Sequence, residues 1–159
     1  MQILILYFSK GGNTRKLAEA IAEGVNGVSG AQAVLKRTDE VDKADFVDAA
    51  GVIAGSPVYF GVMAAELKKV FDDFVSVRKK MEDKVGATFT TSGDATGGKE
   101  TTMMSIIQAL LIYGMVIAGD PMSATGHYGV ACVGEPDEKT RENARKLGQR
   151  VAELAGKLN

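Results

Sequence analysis

The chain has 159 residues, 45% hydrophobic and 25% charged, with a net charge of −1. That length and balance suit one soluble domain with a continuous core and exclude disordered and fibrous classes. Lys and Arg are scattered instead of forming runs, so the electrostatic footprint of a nucleic-acid binder is missing.

Insertion into a membrane is not expected, because the longest apolar stretches, ILILYF and ALLIYGMVIAG, fall well short of the roughly 18 residues that a span requires. The first residues enter a strand-like run with no basic leader or cleavage site, which points to a cytoplasmic protein. Cys132 is the single cysteine, which excludes an internal disulfide and a multi-cysteine metal or iron–sulfur site. Its small apolar neighbours, GVACVG, predict a buried packing thiol. The single histidine, His127, stands beside Tyr128 in a glycine-rich loop and is expected at the surface or at the edge of a cofactor.

In chain order, short apolar runs at 3–7, 33–35, 51–54, 85–90, 115–118 and 130–133 read as buried strands. Between them, Leu17, Ala18, Ile21, Ala22 and Val25 fall on one helical face, as do Met63, Leu67, Val70, Phe71 and Phe74, and then Met103, Ile106, Ile107, Leu110 and Leu111. The stretch DEVDKADFVDA allows one short helix carrying Phe46 and Val47. A terminal helix carries Ala144, Leu147, Val151, Leu154 and Leu158, with Pro136 expected at its first position. Strands apolar on both faces, alternating with amphipathic helices, predict a parallel sheet covered on both sides: a three-layer, doubly wound α/β domain over residues 1–159.

In such folds ligands bind beyond the carboxyl ends of the strands, which selects three loops. In SKGGNT, Gly11 and Gly12 allow close backbone approach, and the helix starting at Asn13 or Thr14 leaves unsatisfied N–H groups facing outward. With Ser9, Asn13 and Thr14 as neutral donors, the loop suits a phosphate; a glycine turn with a cap would explain many of the same residues. In GSPVYFGVM, Tyr59 and Phe60 follow the rigid Pro57 and precede Gly61, presenting rings at a strand end. In TTSGDATGGKE, residues 93–99 match G-x-x-x-x-G-K, but Glu100 stands where a phosphate-binding loop needs Ser or Thr on magnesium, so a phosphotransferase loses its main part. A phosphate anchor, an apolar wall and a polar cradle on one rim suit flavin mononucleotide (FMN).

The chain resembles the flavodoxin-like flavoproteins, and most closely the WrbA-type NAD(P)H:quinone oxidoreductases. The resemblance rests on ILILYFSKGGNTRKLAEAIAEGV, on GSPVYFGVMAAELKKVFD, on ATFTTSGDATGGKETTMMSIIQALLIYGMVIAG and on the YG before the last strand run. It implies a flavodoxin-like domain with a five-stranded parallel sheet, FMN as cofactor and NAD(P)H as co-substrate. A quinone or a redox protein would be the acceptor.

By that resemblance Ser9, Gly11, Gly12, Asn13 and Thr14 take the FMN phosphate. Pro57, Val58, Tyr59, Phe60 and Gly61 line one edge of the isoalloxazine, and Ser92, Gly93, Asp94, Ala95, Thr96, Gly97 and Gly98 line the other. Asp94 would disfavour an anionic reduced ring. WrbA-type proteins commonly carry an Arg at the position of Tyr59 and a His at that of Tyr113, both implied on the substrate side; two tyrosines offer no positive charge to a dinucleotide. The stretch 118–128 is short beside the long insertion of that family, so a homo-oligomer is possible but its tetramer is not implied. The rival reading is a flavodoxin-type electron carrier with no small-molecule substrate. Classical flavodoxins tend to be strongly acidic and to stack Trp on the flavin, whereas this chain is nearly neutral and has no Trp.

Overall fold

The computed structural model describes residues 1–158. In chain order the elements are β1 (Gln2–Tyr7), α1 (Asn13–Asn26), β2 (Gln32–Arg37), α2 (Lys43–Asp48), β3 (Gly51–Pro57), α3 (Ala65–Asp73), a 3-10 segment (Val75–Met81), β4 (Val85–Ser92), α4 (Lys99–Ile112), β5 (Val116–Ile117), β6 (Val130–Val133) and α5 (Glu138–Leu158). All strand pairs in the sheet are parallel, in the order β2-β1-β3-β4-β5, and β6 also pairs with β4.

The five positions of the sheet are thus filled by six strands. β5 pairs with Val85 and Gly86 at the start of β4, and β6 with residues 89–92 at its end, so the fifth position is one strand interrupted by residues 118–129. Two separate apolar runs and one sheet position are both accounted for by that interruption.

Alternation along the strands divides the core. Ile3, Ile5 and Tyr7 of β1 point to the face covered by α1 and α5, together with Ile53, Ala87 and Phe89. Leu4 and Leu6 point the other way, with Val52 and Ala54, toward Phe46 of α2, Leu67 and Phe71 of α3 and Leu110 of α4. Burial on both faces explains why these strands read as continuous apolar runs.

Local chemistry sets the helix ends. Asp42 and Asp45 form a reciprocal capping box that starts α2, Asp42 Oδ1 accepting from Asp45 N–H at 2.9 Å and Asp45 Oδ2 from Asp42 N–H at 3.0 Å. Pro136 is not the first residue of α5. Asp137 intervenes as the cap, its Oδ1 accepting from Thr140 N–H at 2.8 Å, because a carboxylate can satisfy a first-turn N–H and proline cannot.

α1 and α5 meet backbone to backbone. A Cβ on Gly24 would collide with the Arg145 carbonyl, and one on Gly148 with the Ile21 carbonyl. Two glycines on facing helices let the axes approach more closely than any side chain would allow.

Gly148→Ala is expected to destabilise the fold by about 1–3 kcal/mol through overpacking, read as a lower denaturant midpoint at unchanged slope; an unchanged midpoint would mean the helices separate without cost. Cys132 is buried, and burial first, then the Asp137 carboxylate, pushes its thiol up to about 11. At pH 8 it is expected to react with a soluble thiol reagent at least about tenfold more slowly in the folded than in the unfolded protein, because the thiolate is the nucleophile.

Candidate functional site

The carboxyl ends of β1, β3 and β4 carry three loops, 8–12, 58–64 and 93–98. β4 is bonded to the end of β3 and the loop after it: Val58 N–H donates to the Thr91 carbonyl at 2.8 Å, and Thr90 Oγ1 donates to the Ser56 carbonyl at 2.7 Å. Thr14 and Thr91 share a hydrogen bond between their Oγ1 atoms at 2.8 Å, buried, which ties the start of α1 to the end of β4. The ring of Phe8 meets that of Tyr59 edge-on at 6.2 Å between centroids. A Cβ on Gly98 would lie 3.0 Å from Gly61 Cα, so the second and third loops touch backbone to backbone. The second loop touches the other two, and the Thr14–Thr91 bond joins the helix start after the first loop to the strand end before the third, so the three form one rim.

The first loop is prepared for an anion. Ser9 Oγ accepts from Gly12 N–H at 3.2 Å and from Arg15 N–H at 3.3 Å, which leaves its own proton free to donate. α1 begins without a side-chain cap, after Gly12 in the left-handed region at φ 94°, so the N–H groups of Asn13 and Thr14 keep the lack of intrahelical partner usual in a first turn. Positions a Cβ would occupy on Gly11 and Gly12 meet nothing within 4 Å. An open cradle of amides and hydroxyls with no carboxylate on its inner face fits a phosphate.

A cationic group that local sequence pattern does not reveal stands behind this loop. Arg37, at the end of β2, donates from Nη1 to the Ser9 carbonyl at 3.4 Å and pairs with Asp39 at 3.0 Å. Parallel register, which sets Tyr7 opposite Arg37, brings it there. Burial raises the pKa of Tyr7, and the nearby Arg15 and Arg37 guanidinium groups oppose that shift.

In the second loop Tyr59 and Val62 bond to each other through both N–H and C=O groups at 3.1 Å, enclosing Phe60 (φ 51°) and Gly61 (φ 77°) in a two-residue turn. Positive φ at both central positions is the geometry of a tight hairpin turn, for which Gly61 is suited and Phe60 is not. Phe60 is held there at a cost of about 1–2 kcal/mol, and its ring is fully exposed. Strain and exposure coincide at the rim, the usual signature of a contact surface. Ser56 braces the turn, accepting from Ala64 N–H at 2.8 Å and donating to the Pro57 carbonyl at 2.7 Å.

The third loop folds on itself. The Asp94 carbonyl accepts from Ser92 Oγ at 2.8 Å and Gly97 N–H at 3.2 Å, and Lys99 Nζ donates to the Ala95 carbonyl at 2.7 Å. Gly93, Asp94, Ala95 and Thr96 are exposed. The position a Cβ would take on Gly93 is open space, a second cradle facing the rim.

Of the residues singled out in the sequence, Ser9, Gly11 to Thr14, Pro57 to Gly61 and Ser92 to Gly98 come together at this rim. Tyr113 does not. It follows α4, whose start is at the rim, and lies at the opposite end of the sheet, buried among Phe46, Phe71 and Met115. Its hydroxyl donates to the Phe71 carbonyl at 2.6 Å, and burial pushes its pKa up to about 12. In this chain it is a core residue with a satisfied hydroxyl, and a substrate-side role is incompatible with that position. Thr91, Ser56 and Arg37 are rim residues that sequence reasoning misses; alternation along β4 would have found Thr91, one residue past Thr90 and therefore on the α1 face.

Beside the rim, Lys99, Glu100 and Met103 of α4 and Thr125 to Ala131 line a cavity of about 250 Å³ closed by Asn143 of α5. Among the described residues no helix is long and apolar enough to cross a membrane, and no group of His, Cys, Asp and Glu is placed to hold a metal ion.

This architecture matches known proteins. The family model for NADPH-dependent FMN reductase matches residues 30–129. A flavodoxin from Aquifex aeolicus is 35% identical over 96% of this chain and 85% of its own length. An NAD(P)H dehydrogenase (quinone) from Archaeoglobus fulgidus is 34% identical over 99% of this chain and 98% of its own length, in an alignment of 189 positions against the 159 residues here, so it carries segments without a counterpart. The crystal structure of a WrbA-like flavodoxin from Agrobacterium tumefaciens superposes with a TM-score of 0.87 at 26% identity, each chain covered to 99%. With its parallel sheet, its three-loop rim and relatives matched along nearly all of its length, the chain belongs to the NADPH-dependent FMN reductase family of flavodoxin-like proteins.

Proposed function

We propose that this protein is an FMN-dependent NAD(P)H:quinone oxidoreductase acting in the cytoplasm, with the flavin lying across the three-loop rim. The observation that carries the reading is the joining of the three loops: an anion-ready cradle and a glycine-rich loop each touch the exposed aromatic turn, and the Thr14–Thr91 bond ties the elements behind them at one edge. When bound, FMN supplies the two-electron redox chemistry, and the chain supplies position and electrostatics.

Ser9, Gly11, Gly12, Asn13 and Thr14 would hold the phosphate with neutral donors, while Arg37 behind the loop offsets its charge. Residues 57–61 and 92–98 would flank the ring, with Phe60 and Tyr59 limiting water on one side. The exposed backbone of 93–96 would offer N–H groups to its polar edge, and the Asp94 carboxylate would oppose negative charge there. No general base is required of the protein. The exposed apolar side chains of Val62, Val75 and Ile112 on the α3–α4 side would suit a homo-oligomer.

The Aquifex relative named flavodoxin favours a second reading, an electron carrier that passes electrons to a protein partner. The near-neutral charge and the absence of Trp support the reductase.

Purified protein reconstituted with FMN is expected to oxidise NADPH or NADH with benzoquinone through many turnovers. FMN-loaded protein that shows no turnover would contradict the reductase and leave the carrier. Thr14→Val, which keeps the volume and removes the hydroxyl shared with Thr91, is expected to weaken FMN binding about tenfold, roughly 1.4 kcal/mol, measured by flavin fluorescence titration. Unchanged affinity would remove Thr14 from the phosphate site.

A further inference from the structure

Residues 118–129 leave the fifth position of the sheet and return to it, and the neck of this excursion is built around Asp120. Asp120 Oδ2 accepts from Gly129 N–H at 3.0 Å, one residue before β6 begins. The backbone closes tightly round it: a Cβ on Gly126 would collide with the same carboxylate oxygen, and one on Gly119 with the His127 carbonyl. Gly129 itself lies against the Thr88 backbone of β4, so the neck is fixed to the sheet.

One stripe of α5 fastens the outer part of the loop. Asn143 Nδ2 donates to Thr125 Oγ1 at 2.8 Å, and Lys146 Nζ, also paired with Glu142, donates to the Ser123 carbonyl at 3.1 Å. Arg150 continues the stripe one turn further; burial raises the pKa of Asp120, and the Gly129 amide and the Arg150 charge oppose that shift. Asp120 Oδ1 and Arg150 Nε are buried and lack a hydrogen-bond partner among the described residues. The residues this closure places are His127 and Tyr128, both exposed, in the wall of the cavity that begins at Lys99, next to the glycine-rich loop.

We propose that Asp120 is a positioning residue: through Gly129 it sets His127 and Tyr128 in the cavity wall beside the flavin rim, and that wall shapes entry of the planar quinone acceptor. The proposal rests on the reductase reading for its substrate, and on the loop geometry alone for the clamp. The cavity offers a ring-sized space with donors on Lys99, Tyr128 and Asn143 for carbonyl oxygens and an apolar side at Met103.

The test compares FMN-loaded parent, Asp120→Ala and Asp120→Asn, since the amide oxygen of Asn still accepts from Gly129. In Asp120→Ala the Gly129 amide is expected to exchange with solvent at least about tenfold faster, and the KM for benzoquinone to rise about fivefold with kcat within about twofold. Asp120→Asn is expected to restore Gly129 protection and most of the KM. If Asp120→Ala does not fold, Asp120→Ser, too short to reach Gly129, replaces it.

Unchanged Gly129 exchange in the truncated variant overturns the clamp. A KM unchanged while Gly129 is deprotected overturns the acceptor-side role, and a loss of thermal stability alone, not rescued by Asn, reduces Asp120 to a fold residue. A parent that turns over no quinone defeats the reductase reading instead, and Gly129 exchange still decides the clamp.

Discussion

The register of β4 is the constraint on which the site depends. All eight of its residues are buried, it pairs with β3 along seven of them, and its other edge is shared by β5 and β6. Thr90 and Thr91 reach the β3 loop and α1 from opposite faces of the strand, while the Ser92 carbonyl accepts from Gly134 N–H at 2.8 Å beyond β6. A slip of one residue would exchange the two threonine faces and detach the start of α1, with the loop before it, from β4. Burial of Ala87 and Phe89 against α1 and α5 opposes any such slip, so the packing that stabilises the sheet also aligns the loops.

Around that strand the site is built mostly from neutral donors and backbone. Ser9 organises the first loop by accepting two amides, and left-handed Gly12 ends the loop and opens the helix. Phe60 is the opposite case, a residue held under local strain to stand in solvent at the rim. The two loops differ as the ligands proposed for them differ. A phosphate is held by fixed dipoles, whereas a flat ring or a partner surface is met by exposed apolar area.

Much of the fold was legible because both faces of the sheet are covered, which makes strands into unbroken apolar runs and helices into one-sided ones. The three loops were legible through glycine, hydroxyl and aromatic content at strand ends. Periodicity could not show that runs 115–118 and 130–133 occupy one position, since that depends on both finding room on β4. Nor could local pattern place Tyr113, because the length of α4 carries it from the rim to the far end of the sheet, where Phe71 offers its carbonyl. The two-residue turn at Phe60 was hidden by an aromatic in a conformation usually left to Gly or Asn. Arg37 reaches the Ser9 carbonyl across 28 residues of sequence, a pairing that one sequence does not reveal.

A flavin bridging three loops registered on β4 is tested most directly by a crystal structure of the protein grown with FMN. The phosphate is predicted within hydrogen-bond distance of the amides and hydroxyls of residues 9–14, with the ring between residues 57–61 and 92–98. A phosphate bound elsewhere, or a ring seated in the cavity between Lys99 and Asn143 with the Ser9–Thr14 loop empty, would contradict it.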